Sequence, residues 1–130
     1  MLDHIGLAVS DIDRSRAFYA AALAPLGYRL IHELTPDRTE SGGTAVMFGI
    51  AGEVDFVIAD NERPGEGNHV AFRAGTREAV RAFHAAALQA GGEDNGGPGP
   101  RPQYGETYYA AFVHDPDGFN VEAVCHAAGD

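Results

Sequence analysis

Apolar positions recur at two spacings along this chain, and the two spacings alternate in the same order twice. Ile5, Leu7 and Val9 alternate with small or polar residues, the period of a half-buried strand. Ile12, Ser15, Phe18, Ala22 and Leu23 then fall on one helical stripe; Ser10 with Asp13 marks its start, and Pro25 with Gly27 its end. Strands are predicted over Tyr28–Glu33, Thr44–Gly49 and Val54–Ala59, with a polar loop from Thr35 to Gly43 and an Ala51-Gly52 turn. The run D-N-E-R-P-G-E-G-N over 60–68 has the composition of a linker. The pattern then restarts with a strand over His69–Ala74, Thr76 as N-cap, and Val80, Phe83, Ala87 and Leu88 at helical spacing before Gly91-Gly92. Gly92 to Glu106 reads as a long Gly- and Pro-rich loop with a faint strand near Glu93. Strands over Thr107–His114 and Phe119–Cys125, joined by the turn Asp115-Pro116-Asp117-Gly118, complete the chain.

The restart is a duplication. Arg16 to Leu23 reads R-A-F-Y-A-A-A-L and Arg81 to Leu88 reads R-A-F-H-A-A-A-L, seven identities in eight at an offset of 65 in a chain of 130 residues. At the same offset H-I-G-L-A-V from His4 aligns with H-V-A-F-R-A from His69, so each copy opens with a histidine at the head of a strand. The expected architecture is α+β, two tandem βαβββ modules forming a cleft-shaped mixed sheet. One domain is expected over 1–130, with module 1 at about 1–60, the linker at 60–68 and module 2 at about 69–127.

Composition narrows the partners. An apolar fraction of 45% and a charged fraction of 22% belong to a globular protein. A net charge of −10 argues against nucleic acid and against an anionic membrane surface. No apolar run suits a bilayer, and no basic-then-apolar leader opens the sequence, so a cytoplasmic protein is expected. The single cysteine, Cys125, falls on the helix-facing side of its strand and reads as a buried, inert thiol.

The chemistry lies in strand parity. Val54, Phe56 and Ile58 share one face, leaving Asp55 on the other; Val121, Ala123 and Cys125 likewise leave Glu122 opposite. His4 and His69 point away from the apolar residues of their own strands. V-D-F-V and V-E-A-V read as repeat equivalents if the loops differ by two residues. Two imidazoles and two carboxylates on the non-helix faces of a duplicated fold form a plausible divalent metal site. Taken singly, each of the four also fits a solvated sheet face. His32, His114 and His126 carry no assignment, and His84, at the helix position that Tyr19 holds in the other copy, reads as structural. Tyr104, Tyr108 and Tyr109 beside the long loop could meet a ligand or belong to the core, and Arg101 could meet an anion.

H-I-G-L-A-V-S-D, N-H-V-A-F and F-V-H-D-P-D-G-F-N-V-E-A-V together resemble the vicinal oxygen chelate superfamily of glyoxalase I, bleomycin-resistance proteins and extradiol dioxygenases. The resemblance implies a divalent ion (Zn, Ni, Mn or Fe) held by His4, His69 and Glu122, with Asp55 near the place of glyoxalase I's fourth-strand glutamate. It implies a lyase or isomerase acting on a small substrate chelated through neighbouring oxygens, with Glu122 or Asp55 as base. An extradiol-type dioxygenase and a metal-free drug-sequestering protein are the alternatives. The first-strand arginine that helps glyoxalase hold glutathione has no match. A two-fold homodimer is expected, with His4 and Asp55 of one chain facing His69 and Glu122 of the other.

Overall fold

A computed structural model describes residues 2–39, 42–65 and 68–129. The first module runs β1 (Ile5–Ala8), α1 (Ile12–Leu23), β2 (Arg29–Leu34), β3 (Ala45–Ile50) and β4 (Glu53–Ala59). The second runs β5 (His69–Arg73), α2 (Arg77–Gln89), the two-residue strands β6 (Glu93–Asp94) and β7 (Gly99–Pro100), β8 (Tyr109–His114) and β9 (Asn120–Cys125). Part of the polar loop (40 and 41) and of the linker (66 and 67) lies outside the described residues.

The strands form two mixed sheets ordered β1-β4-β3-β2 and β5-β9-β8-β6, with β7 also on β8. β1 pairs parallel with β4 and β5 parallel with β9, as a strand–helix crossover requires. Among the described residues no ladder joins the sheets; they meet through side chains. One continuous core holds Phe18, Tyr19, Phe48, Phe56 and Ile58 of the first module with Phe72, Val80, Phe83, Val113 and Val121 of the second. Its aromatic edges cross between modules, with Phe72 at 5.1 Å from Phe56 and 5.2 Å from Tyr28.

Local details depart from the pattern in instructive ways. Asp11, not Ser10, caps α1, its side chain accepting from the Arg14 N–H. Ser10 is instead drawn to Asp117, whose carboxylate accepts from the Ser10 backbone N–H and hydroxyl. Pro25 does not end the helical path: a 3-10 turn carries it to Leu26, and Gly27, at φ 91°, turns the chain out. Gly49 sits at a register shift between β3 and β4, where an added Cβ would lie 1.8 Å from the Glu53 carbonyl oxygen. The expected loop over 92–106 is largely a ribbon: β6 and β7 both bond β8, and Asn95 and Gly96 extend the pairing to Phe112.

One further contact clasps the modules. The Tyr19 hydroxyl donates to Asp115 Oδ2 at 2.7 Å, and Asp115 Oδ1 accepts from the backbone N–H of Asp117 and Phe119 at 2.8 Å each. Both side chains are buried, so burial raises the Tyr19 pKa well above its usual value and raises that of Asp115.

Candidate functional site

The register shows where each half of the candidate site comes from. His69 pairs with Asn120 and Ala71 with Glu122, which places His69 and Glu122 diagonally across neighbouring parallel strands on one face. His69 Nε2 lies 3.0 Å from Glu122 Oε1. The other ring nitrogen, Nδ1, lies 3.0 Å from the Asn120 carbonyl oxygen, which can only accept, so Nδ1 carries a proton. In neutral His69, Nε2 then presents a lone pair to a carboxylate oxygen. That arrangement is repulsive unless a cation, either a proton on Nε2 or a metal ion, joins the two.

Glu122 sharpens the demand. It is 2% exposed on a strand buried on both faces, and a buried carboxylate needs compensation. Its Oε2 accepts from the Tyr108 hydroxyl at 2.5 Å. Burial and the carboxylate push the Tyr108 pKa up to about 12, which keeps that hydroxyl a donor. A protonated His69 would leave an ion pair with one member buried; a divalent ion satisfies both groups. Donors bound at about 2.1 Å lie roughly 3.0–3.4 Å apart around an ion, close to the spacing found. A histidine whose second nitrogen donates to a backbone carbonyl also has the outer-sphere support typical of metal ligands. His69 and Glu122 are therefore spaced as two donors to one ion would be.

His4 repeats the pattern. It lies just before β1, its side chain 58% exposed, with Nδ1 at 2.8 Å from Asp3 Oδ1. In both histidines Nδ1 is the nitrogen engaged by a neighbouring oxygen, which leaves Nε2 for another partner. Asp55 precedes Phe56, the register partner of Ile5, so His4 and Asp55 are neighbours on adjacent strands. The Tyr28 hydroxyl donates to Asp55 Oδ2 at 2.9 Å, and burial together with this bond raises the Tyr28 pKa.

His4, Asp55 and His69 border one cleft of about 450 Å³, together with Tyr28, Phe72 and Arg73. The chain does not bring the candidate ligands together, however. Among the described residues, no three His, Cys, Asp or Glu side chains are placed to share an ion. The cause is strand direction. Ser10, just past β1, is tied to Asp117, just before β9 and the Asn120 partner of His69. The end of β1 therefore lies near the start of β9, on the His69 side, while His4 precedes the other end of β1.

The register also revises the repeat. Ile5 pairs with Phe56 and its repeat mate Val70 with Val121, so the offset of 65 holds through the last strands. Asp55 is thus the counterpart of Asn120, and the counterpart of Glu122 is Val57. The equivalence of Asp55 and Glu122 read from V-D-F-V and V-E-A-V is a two-residue slip, which parity alone cannot detect because side chains repeat every second residue.

Of the remaining residues, His84 Nε2 meets Asp94 Oδ1 at 2.9 Å, and this bond lowers the Asp94 pKa. Tyr109 packs in the core under the guanidinium groups of Arg77 and Arg81. Cys125 is buried, and Arg101 lies over the Phe112 ring. Sequence reasoning did not find the Tyr108–Glu122 bond; a tyrosine just before a strand carries no signal of its partner.

The duplicated βαβββ frame belongs to a known family: residues 1–123 match the model of the Glyoxalase/Bleomycin resistance protein/Dioxygenase superfamily, and the chain is a member of it. A glyoxalase/bleomycin resistance protein from Albidiferax ferrireducens superposes with a TM-score of 0.76 at 27% identity, over 96% of this chain and 98% of that one. Glyoxalase I from Zea mays superposes at 0.68 with 27% identity over 95% of this chain, which spans only 45% of the maize chain. A glyoxalase/bleomycin resistance protein/dioxygenase domain from Frankia sp. shares the fold at 0.72 and 16% identity, over 96% of each chain. No curated protein matches the sequence. No helix among the described residues is long and apolar enough to cross a membrane.

Proposed function

We propose that this protein is a divalent-metal-dependent, glyoxalase-like enzyme of lyase or isomerase type, acting on a small substrate through two neighbouring oxygens. The observation that carries the reading is the buried Glu122 carboxylate facing His69 Nε2 at 3.0 Å while His69 Nδ1 is committed to a carbonyl. His69 and Glu122 form one half-site, and His4, its Nδ1 held by Asp3, supplies the third ligand. Because His4 and His69 stand apart in one chain, the third ligand comes from a second copy in a two-fold dimer. The edge strands β1 and β5 and the exposed Leu2 and Ile5 are the surfaces such a dimer would cover.

The ion, when bound, supplies Lewis acidity toward the substrate oxygens and stabilises negative charge growing on them. The chain's own residues divide the remaining work. Glu122 has both oxygens engaged and is buried, which suits holding rather than proton transfer. Asp55 is exposed, its Oδ2 accepts from Tyr28, and it lies beside His4, so its Oδ1 is placed to take a proton from the substrate. Tyr28, Phe72 and Val70 give the cleft an apolar wall that limits water around it.

A second reading has its own support. With Val57 opposite Ala71's counterpart Gly6, module 1 contributes only His4, and two histidines with one carboxylate also suit ferrous iron in a dioxygenase. Calorimetry separates the readings from a drug-binding role. Acetohydroxamate should bind the metal-loaded protein and not the metal-free protein, whereas metal-independent binding of bleomycin without hydroxamate binding would reverse the conclusion. Consumption of dioxygen by the iron-loaded protein with a catechol would select the dioxygenase.

A further inference from the structure

We infer that Tyr108 is a positioning residue for the proposed metal site, holding one oxygen of Glu122 so that the other is presented beside His69. The inference rests on the metal reading above and adds a residue that neither the repeat nor the family match assigns. A glutamate's terminal torsion is broad and two-fold, so an unrestrained Glu122 could offer either oxygen or both. The Tyr108 hydroxyl removes that freedom by occupying Oε2, which leaves Oε1 at 3.0 Å from Nε2.

Tyr108 is itself fixed by contacts independent of Glu122. Its carbonyl accepts from the Arg101 N–H at 2.8 Å and its N–H donates to Gly105 at 3.2 Å. Its ring sits edge-on to Tyr104 at 5.4 Å and to His126 at 5.3 Å. Arg101 in turn donates to the carbonyls of Gly97 and Gly99 and covers Phe112, the register partner of Glu122. The segment from Gly97 to Tyr108 therefore wraps Glu122 from the strand beside it, and Tyr108 is its only described side chain bonded to that carboxylate.

A merely structural tyrosine would satisfy a buried carboxylate and affect stability alone. A positioning tyrosine changes the ion's surroundings. Metal-free wild type, Tyr108→Phe and Tyr104→Phe would be titrated with Co²⁺ by calorimetry, with the visible absorption of the bound cobalt recorded. Loss of outer-sphere support typically weakens metal binding about 10–100-fold. Tyr108→Phe should show that loss and an altered cobalt spectrum, while Tyr104→Phe, which also lacks one hydroxyl, should match wild type. Equal affinity and an unchanged spectrum in Tyr108→Phe would overturn the inference and leave the metal reading standing. Failure of wild type to bind cobalt would overturn the metal reading itself, and Tyr108's role with it. One further measurement needs no variant: zinc-loaded wild type should show a slowly exchanging Tyr108 hydroxyl proton by NMR, and free exchange with water would count against the inference.

Discussion

Tyr19→Phe removes a single oxygen from the clasp between modules and leaves the ring in place. Its hydroxyl donates at 2.7 Å to Asp115, and both side chains are buried. A hydrogen bond to a charged group contributes about 1.5–3 kcal/mol, and among the described residues Oδ2 has no other partner to fall back on. Asp115 keeps two backbone donors on Oδ1, so a loss of about 2 kcal/mol is expected at pH 7. For 130 residues the unfolding entropy is about 0.27 kcal/mol/K, so the melting temperature should fall by about 7 °C. The pH dependence has a definite sign. Burial raises the folded pKa of Asp115 above the ordinary aspartate value of 3.8, so the unfavourable carboxylate form takes hold as pH rises from 3.8 through the folded pKa. The Tyr19 bond opposes that rise, so the variant's deficit should be full at pH 7 and smallest below pH 3.8, where Asp115 is protonated in both states. Urea unfolding of wild type and variant at both pH values is the assay. A deficit under about 0.5 kcal/mol at pH 7, or one independent of pH, would refute the reasoning.

Four further outcomes are expected. His69→Ala and Glu122→Ala should lose metal entirely, while Asp55→Asn should keep it and lose hydrogen exchange at the carbon of an α-hydroxyketone, measured by NMR in deuterium oxide. Gly49→Ala should destabilise by roughly 1–3 kcal/mol or more in denaturant titration, since the new Cβ would meet the Glu53 carbonyl at 1.8 Å. Above about pH 10 wild-type stability should decline, because unfolding frees the buried Tyr19 phenol to ionise; Tyr19→Phe should flatten that decline. Light scattering at micromolar concentration should report a dimer, and a monomer would remove the second half of the proposed site.

Much of this molecule is legible because it is written twice. A repeat at an offset of 65 locates both histidine strands and both helices, and strand parity finds the faces of Asp55 and Glu122. What parity cannot reveal is register: slipping β4 by two residues preserves every face and changes only the partner, which is how Asp55 came to stand for Val57. Long-range pairings such as Ser10 with Asp117, Tyr19 with Asp115 and Tyr108 with Glu122 are equally silent. Each joins residues whose local sequence serves another purpose, a cap, a helix stripe or a loop end. Glu122's burial is equally silent in the sequence, since a glutamate among valines reads as a solvated face although it is 2% exposed and bonded to Tyr108.

Subunit mixing tests directly whether the proposed metal site is shared between two copies. His4→Ala and Glu122→Ala each damage every site of their own homodimer. A heterodimer combining them holds one site with both defects and one with neither, provided His4 of one copy meets His69 and Glu122 of the other. Differently tagged variants, mixed under mild denaturant, refolded and purified through both tags, should therefore bind one metal ion per heterodimer with wild-type affinity while neither parent binds any. A heterodimer as metal-free as its parents would contradict the account.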